Sequence, residues 1–253
     1  MKTMICLILD RSGSMGGREN DVINGINSFI DEQKKLPDPA SIAFVRFDSE
    51  AIERFRPMQN LTEVKHLTRG EYQPRGGTPL LDAVGQSIVQ LEEDWKAEKP
   101  ERAIVVIVTD GEENSSKEFT KAKIQALIKA RQDSGMWAFI YLGANVDAFA
   151  EANSMGIATA NAAGYVNTAR GTKTLYETAS ASVHHMRSTG HTFAHNLGRN
   201  IGEDEEAEPA KSIPIASPVV AQQPAMPSVS IPTWVPPAGA AVSQPSGTWT
   251  PPA

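Results

Sequence analysis

Cysteine is almost absent: 253 residues hold one, Cys6, which excludes an intrachain disulfide. Cys6 lies inside the apolar run Met4-Ile5-Cys6-Leu7-Ile8-Leu9 and reads as a buried strand residue. That run stops at Asp10, too soon for a signal peptide, and no later stretch approaches the roughly 18 apolar residues that span a bilayer. The expectation is a cytoplasmic protein with no membrane partner. A basic stripe is also missing. Up to Gly202 there are 23 Lys and Arg against 25 Asp and Glu, and beyond it one Lys against five acids. Holding a polyanion requires clustered cations, so no nucleic-acid partner is expected.

Proline is scarce in most of the chain and crowded at its end, with eleven of 17 between Pro209 and Pro252. Residues 203–253 therefore read as an acidic and then Pro-rich disordered tail, because apolar residues without a period cannot offset their ordering entropy. Within it Thr233-Trp234-Val235-Pro236-Pro237-Ala238 nearly repeats as Thr248-Trp249-Thr250-Pro251-Pro252-Ala253, which suggests a docking motif for a second protein partner.

Before the tail, short β-branched runs alternate with stretches of helical period. This is the signature of a mostly parallel sheet covered by helices on both faces, a doubly wound, Rossmann-like α/β fold. Strands are expected at residues 3–9, 41–48, 51–57, 103–108 and 137–142. The pair 41–48 and 51–57, joined through Ser49-Glu50, makes one edge strand antiparallel. Val22, Ile23, Ile26, Phe29 and Ile30 mark a first helix capped by Asn20 or Asp21. A second helix carries Leu80, Leu81, Val84, Ile88, Leu91 and Trp95, with Pro79 as its first residue. A third turns Phe119, Ala122, Leu127 and Ile128 inward, and a short one follows near residues 146–154. Past Gly156 the pattern weakens, with one more helical stretch at residues 172–187. The organisation expected is a domain over 1–157, a helical extension over 158–202, and the tail.

Chemistry concentrates at strand ends. Asp10 and Asp110 each follow an apolar strand, and in an open doubly wound sheet those ends line the ligand crevice. The spacing Asp10-Arg11-Ser12-Gly13-Ser14 lets three oxygen-bearing side chains face one point, and Gly76-Gly77-Thr78-Pro79 brings another hydroxyl. Two carboxylates and three hydroxyls suit Mg²⁺ or Mn²⁺ and disfavour Zn²⁺, which prefers His and Cys. Glu112 and Glu113 read as solvated. Taken singly, Thr78 is a cap for the helix at Pro79, and Ser12 and Ser14 are turn residues.

In these residues the sequence resembles the von Willebrand factor type A family, whose metal-ion-dependent adhesion site is written DxSxS, then Thr, then Asp. Asp10, Ser12, Ser14, Thr78 and Asp110 match all five positions over a likeness of roughly residues 1–157. The continuation YLGANVDAFAEANSMGI looks like stand-alone bacterial and phage members. The resemblance implies that Ser12, Ser14 and Thr78 approach the metal directly or through water, and that the aspartates act mainly through bound water. A partner protein's Asp or Glu then completes the octahedron. A non-enzymatic binding module is therefore expected, in the host cytoplasm or a virion if phage-encoded.

One alternative is a structural component of a phage particle or other assembly that docks through its tail. Another is a Mg²⁺-dependent phosphohydrolase with Asp10 as nucleophile, but such sites want a second Asp at the position held by Ser12. His184, His191 and His195 would share a face, and suggest a transition metal, if one helix ran through them, but Gly190 interrupts it and His185 lies off that face; a surface or partner-contacting face is the reading preferred over a metal role.

Overall fold

A computed structural model describes residues 1–144, 147–166, 168–192, 197–198 and 200–201. The tail with its Trp234 and Trp249 repeats, and His195, lie outside the described residues. The described chain runs β1 (Thr3–Asp10), α1 (Glu19–Lys34), β2 (Ala40–Phe47), β3 (Ile52–Asn60), α2 (Leu80–Glu98) and β4 (Arg102–Thr109). It continues through α3 (Lys121–Gln132), β5 (Trp137–Ala144), α4 (Ala148–Ser154), β6 (Ala162–Tyr165), α5 (Ala169–Thr189) and β7 (Asn200–Ile201).

The strands form one sheet in the order β3-β2-β1-β4-β5-β6-β7. Every neighbouring pair is parallel except β2 with β3, so the antiparallel edge strand falls where the hairpin reading places it. The central strands β1 and β4 are buried along their whole length, as an unbroken apolar run demands of a strand covered on both faces. Side chains alternate between two cores. Ile5, Leu7 and Leu9 pack with α1 and α5, whereas Met4, Cys6 and Ile8 pack with α2, α3 and α4. Edge strand β3 is half exposed and carries Pro57, whose missing N–H is tolerated on an unpaired edge.

Several local expectations are corrected. The cap of α1 is Arg18, not Asn20 or Asp21, because Gly17 at φ 81° turns the chain into the helix earlier and Val22 N donates to Arg18 O at 3.0 Å. Pro79 caps α2 from outside, and the helix proper starts at Leu80. In α3 the inward residues are Ile124 and Ile128, one turn apart; Ala122 is exposed, and Phe119 and Leu127 are partly buried. The two added strands β6 and β7 are four and two residues long. Runs that short carry no readable alternation.

The helix expected at 172–187 falls within α5, which lies along α1. They pack tightly at Gly25 and Tyr176, where a Cβ on Gly25 would stand 2.1 Å from the tyrosine ring. Gly25→Ala should therefore destabilise the fold by roughly 1–3 kcal/mol, the overpacking strain outweighing the ~1 kcal/mol gain in helix propensity. Urea denaturation reads this directly, and an unchanged or raised midpoint would refute the close packing.

Candidate metal centre

Strand order reverses between β1 and β4: from β1 the chain proceeds outward to β2 and β3, and it returns to β4 on the other side. Their carboxyl ends frame a crevice at that switch point. Asp10 is the last residue of β1 and Asp110 the first after β4. Both are buried, Asp10 to 1% exposure and Asp110 to 4%.

The first loop is folded around Asp10. One carboxylate oxygen accepts from the Ser12 amide at 2.7 Å, and the other accepts from the Thr109 hydroxyl at 2.6 Å. The Ser12 and Ser14 hydroxyls lie 3.0 Å apart, and Ser14 donates to Asp110 Oδ1 at 2.6 Å. Ser14 is exposed and stands at the mouth, while Ser12 is buried beneath it.

Thr78 comes from the second loop. Its amide donates to Asn114 Oδ1 at 2.9 Å and its carbonyl accepts from Asn114 N at 3.1 Å, which fixes the residue by its backbone. The expected alternative, a Thr78 cap on α2, does not form: the cap is Pro79 with no side-chain bond. Among the described residues the Thr78 hydroxyl has no hydrogen-bond partner, although the residue is 2% exposed. It faces the other donors. A methyl group placed on Gly111 would stand 3.0 Å from Thr78 Oγ1, 3.6 Å from Ser14 Oγ and 3.8 Å from Asp10 Oδ2. Glycine at 111 keeps that shared volume clear.

Residues with no evident signal in the sequence hold the loops. Arg11 is buried and pairs through Nε with Asp48 Oδ2 at 2.7 Å, and Arg75 Nε reaches the same oxygen at 3.2 Å. Backbone bonds run alongside, from Arg75 N to Arg11 O at 2.8 Å and from Gly13 N to Gly76 O at 3.0 Å. Asp48 thus ties the β2–β3 turn to both donor loops, and its neighbouring amides and arginines hold its carboxyl below the usual range against the cost of burial. Tyr72, fully buried, donates its hydroxyl to the Asp10 carbonyl.

The third loop is locked to α2 by an exchange of caps. Asp82 accepts from the amides of Lys117, Glu118 and Phe119 at 2.7, 2.9 and 2.7 Å. Glu113 in return accepts from Leu81 N at 2.9 Å and Ser116 N at 2.7 Å. Glu113 is accordingly a structural cap and not a solvated acid; Glu112 is exposed as expected. Asp82 was hidden in the sequence because it sits within an apolar helical face.

Burial pushes the Asp10 carboxyl up to about 6, opposed by its hydrogen bonds from Thr109 and Ser12 and reinforced by the nearby Asp110 charge. Among the described residues no three His, Cys, Asp or Glu side chains form a metal-holding group. Two carboxylates and three hydroxyls are the oxygen chemistry that fits a hard divalent cation, and Ser14 is the exposed member of the set.

His184 and His191 do not share one helical face. Helix α5 stops at Thr189 with Gly190 at φ 85°, so His191 leaves the helical stripe and its ring lies 5.8 Å from that of His185. His184 is exposed beside them.

Residues 5–113, which include all five donor positions, match the family model of the von Willebrand factor type A domain. No curated protein matches the chain. Among solved structures it is similar to a von Willebrand factor type A protein from Catenulispora acidiphila, at 18% identity and TM-score 0.50, covering 72% of this chain and 42% of that one. It is also similar to the SpRpn10 VWA domain, at 12% identity and TM-score 0.50, covering 69% of this chain and 93% of that one. A mussel byssus protein, proximal thread matrix protein 1, aligns at 14% identity and TM-score 0.49, covering 71% of this chain and 45% of its own. The chain thus spans less than half the length of the Catenulispora and mussel proteins. The family model makes residues 5–113 similar to the von Willebrand factor type A domain, and the two structures at 0.50 share the fold. No described helix is long and apolar enough to cross a membrane.

The raised Asp10 carboxyl makes a stability prediction for metal-free protein. Its folded pKa lies above the unfolded value of 3.8, so its contribution is greatest below pH 3.8 and is lost as pH rises through about 6. Asp10→Asn should therefore raise metal-free stability at pH 8 by roughly 1–3 kcal/mol, with the gain vanishing toward pH 4. Thermal melts in EDTA at both pH values test it, and a destabilised variant at pH 8 would contradict it.

Proposed function

We propose that this domain holds Mg²⁺, or Mn²⁺, through Asp10, Ser12, Ser14, Thr78 and Asp110 and uses the ion to capture an acidic side chain of a partner protein. The observation that carries this reading is the gathering of Thr78 Oγ1, Ser14 Oγ and Asp10 Oδ2 around the clear space above Gly111. Hydroxyls are neutral ligands, and with Asp10 and Asp110 acting mainly through bound water the cation's charge is only partly compensated by direct ligands. An ion so held keeps an appetite for an external carboxylate. Two buried carboxylates side by side, one of them pushed up to about 6, are the electrostatic counterpart, because a divalent cation relieves their mutual repulsion.

The protein's own groups divide the work. Ser12 N and Thr109 orient Asp10, Asp110 accepts from Ser14, and the backbone clamp on Thr78 leaves its hydroxyl available to the ion. Mg²⁺ dehydrates reluctantly, so few direct ligands leave coordinated water and a position that a partner's Asp or Glu can take.

Binding of an acidic protein partner should require millimolar Mg²⁺ or Mn²⁺ and be lost in EDTA and in Asp110→Ala or Thr78→Ala, with the fold intact by circular dichroism. Partner capture undiminished in EDTA would overturn the reading. Because a proton competes with the metal for Asp10, the apparent metal affinity should fall as pH drops below about 6, approaching tenfold per pH unit. Calorimetric titration of Mn²⁺ between pH 5 and 8 measures this, and a flat profile would contradict the role of Asp10.

A further inference from the structure

The loop after β4 and the starts of α3 and α4 enclose a cleft of about 200 Å³ beside the metal crevice. Glu112, Lys121, Asp147 and Glu151 line it, and Glu112 directly follows Gly111, over which the donor oxygens gather. The acids here differ in what they already hold. Glu113 commits both oxygens to the Ser115 and Ser116 groups of its own loop and to Leu81 N. Asp147 caps α4 through one oxygen, accepting from Ala150 N at 3.0 Å. Lys121 donates to Glu151 Oε2 at 3.0 Å. The other Glu151 oxygen, Oε1, is buried and has no hydrogen-bond partner among the described residues.

A second unpaired group stands at the same place. Tyr141 projects from β5 on the sheet face that α4 covers, and it is 0% exposed. Its hydroxyl has no partner among the described residues. Burial first, and the charge of Glu151 next, hold that hydroxyl above its usual range, so the two side chains are neighbours that do not bond each other. Leaving buried polar atoms unmatched is costly, which calls for a group with hydrogens to donate between them. One water occupies about 30 Å³, far less than the cleft provides. Acceptors also outnumber donors around it: Glu151 Oε1, the second oxygen of Asp147 and the exposed Glu112 face a single lysine that Glu151 already engages. The occupant that meets these demands is a donor-rich cation on an aliphatic stem.

We propose that this cleft is a subsite for a lysine or arginine side chain of the partner whose acid reaches the metal, the cation seating between Glu151 Oε1 and the Tyr141 hydroxyl. The inference rests on the metal reading above. Glu112 is one residue, about 3.8 Å along the chain, from Gly111, so one short partner segment spans both places. The consequence is discrimination between acidic partners. An acid accompanied by a base is favoured, whereas a segment bearing acids alone meets repulsion from Glu112 and Asp147.

The cleft is tested by itself, in EDTA, with butylguanidinium and its neutral isostere butylurea as probes and the amide NMR spectrum of the full chain as readout. Saturable shifts at Tyr141 and Glu151 are expected for butylguanidinium, with an affinity about tenfold above that of butylurea. Glu151→Gln should abolish the preference. Tyr141→Phe, which removes an unpaired hydroxyl, should weaken binding about threefold without lowering the thermal midpoint. Equal binding of both probes, or a preference that survives Glu151→Gln, would overturn the subsite and leave a cleft filled by water only. Guanidino acids of increasing chain length then join the two places. At least one should bind several-fold more tightly in Mg²⁺ than in EDTA, with the gain lost in Asp110→Ala. No gain for any of them, in protein that binds Mn²⁺ by calorimetry, would overturn joint capture and leave the metal site standing. Absence of Mn²⁺ binding, with butylguanidinium still seated, would instead remove the metal reading, and joint capture with it.

Discussion

Everything at the candidate centre depends on one buried carboxylate at the end of a strand with no freedom to move. Asp10 is set by its parallel neighbours on both sides, Phe47 in β2 and Thr109 beyond the last paired residues of β4. Its two oxygens are engaged from opposite directions by the Ser12 amide and the Thr109 hydroxyl. Those bonds turn a flexible loop into a fixed one: once Ser12 N is committed to Asp10, the Ser12 hydroxyl meets Ser14, and Ser14 meets Asp110.

A charge buried at 1% exposure is costly, and the surrounding loops are organised so that it stays in place. Asp48 anchors Arg11 and Arg75, fixing the first two donor loops against the β2–β3 turn. Asp82 and Glu113 exchange caps between α2 and the third loop. Both arrangements use acids as acceptors for backbone or guanidinium groups, leaving the hydroxyls of Ser12, Ser14 and Thr78 for the crevice. The same logic separates the acids of this end into fasteners, Asp48, Asp82 and Glu113, and charge carriers, Asp10 and Asp110.

Much of the fold was legible because apolar runs are unambiguous when a strand is buried on both faces, as in Ala103 to Val108. The antiparallel edge was legible from a two-residue turn. Strands β6 and β7 were not, since Ala162-Ala163-Gly164-Tyr165 and Asn200-Ile201 are too short to show a period. At the site, Asp10, Ser12, Ser14, Thr78 and Asp110 announce themselves by spacing and by strand-end position, and the structure brings them to one crevice. The supports do not. Arg11, Tyr72 and Arg75 act through contacts with residues tens of positions away, which no local pattern encodes. Thr109 left a trace, as the polar residue closing an apolar run. The break in the histidine stripe was legible too: Gly190, a glycine between His184 and His191, takes a positive φ and ends α5 before His191.

The cluster of oxygens above Gly111 acts as proposed only if it takes a cation. Crystals of the protein grown with Mn²⁺ and examined at the manganese absorption edge answer this most directly. A single strong anomalous peak is expected, with oxygens of Ser12, Ser14 or Thr78 at about 2.1–2.2 Å and Asp10 and Asp110 bonded directly or through one water. Full occupancy of the crystal by protein with no peak at this position, or a peak held by other residues, would contradict it.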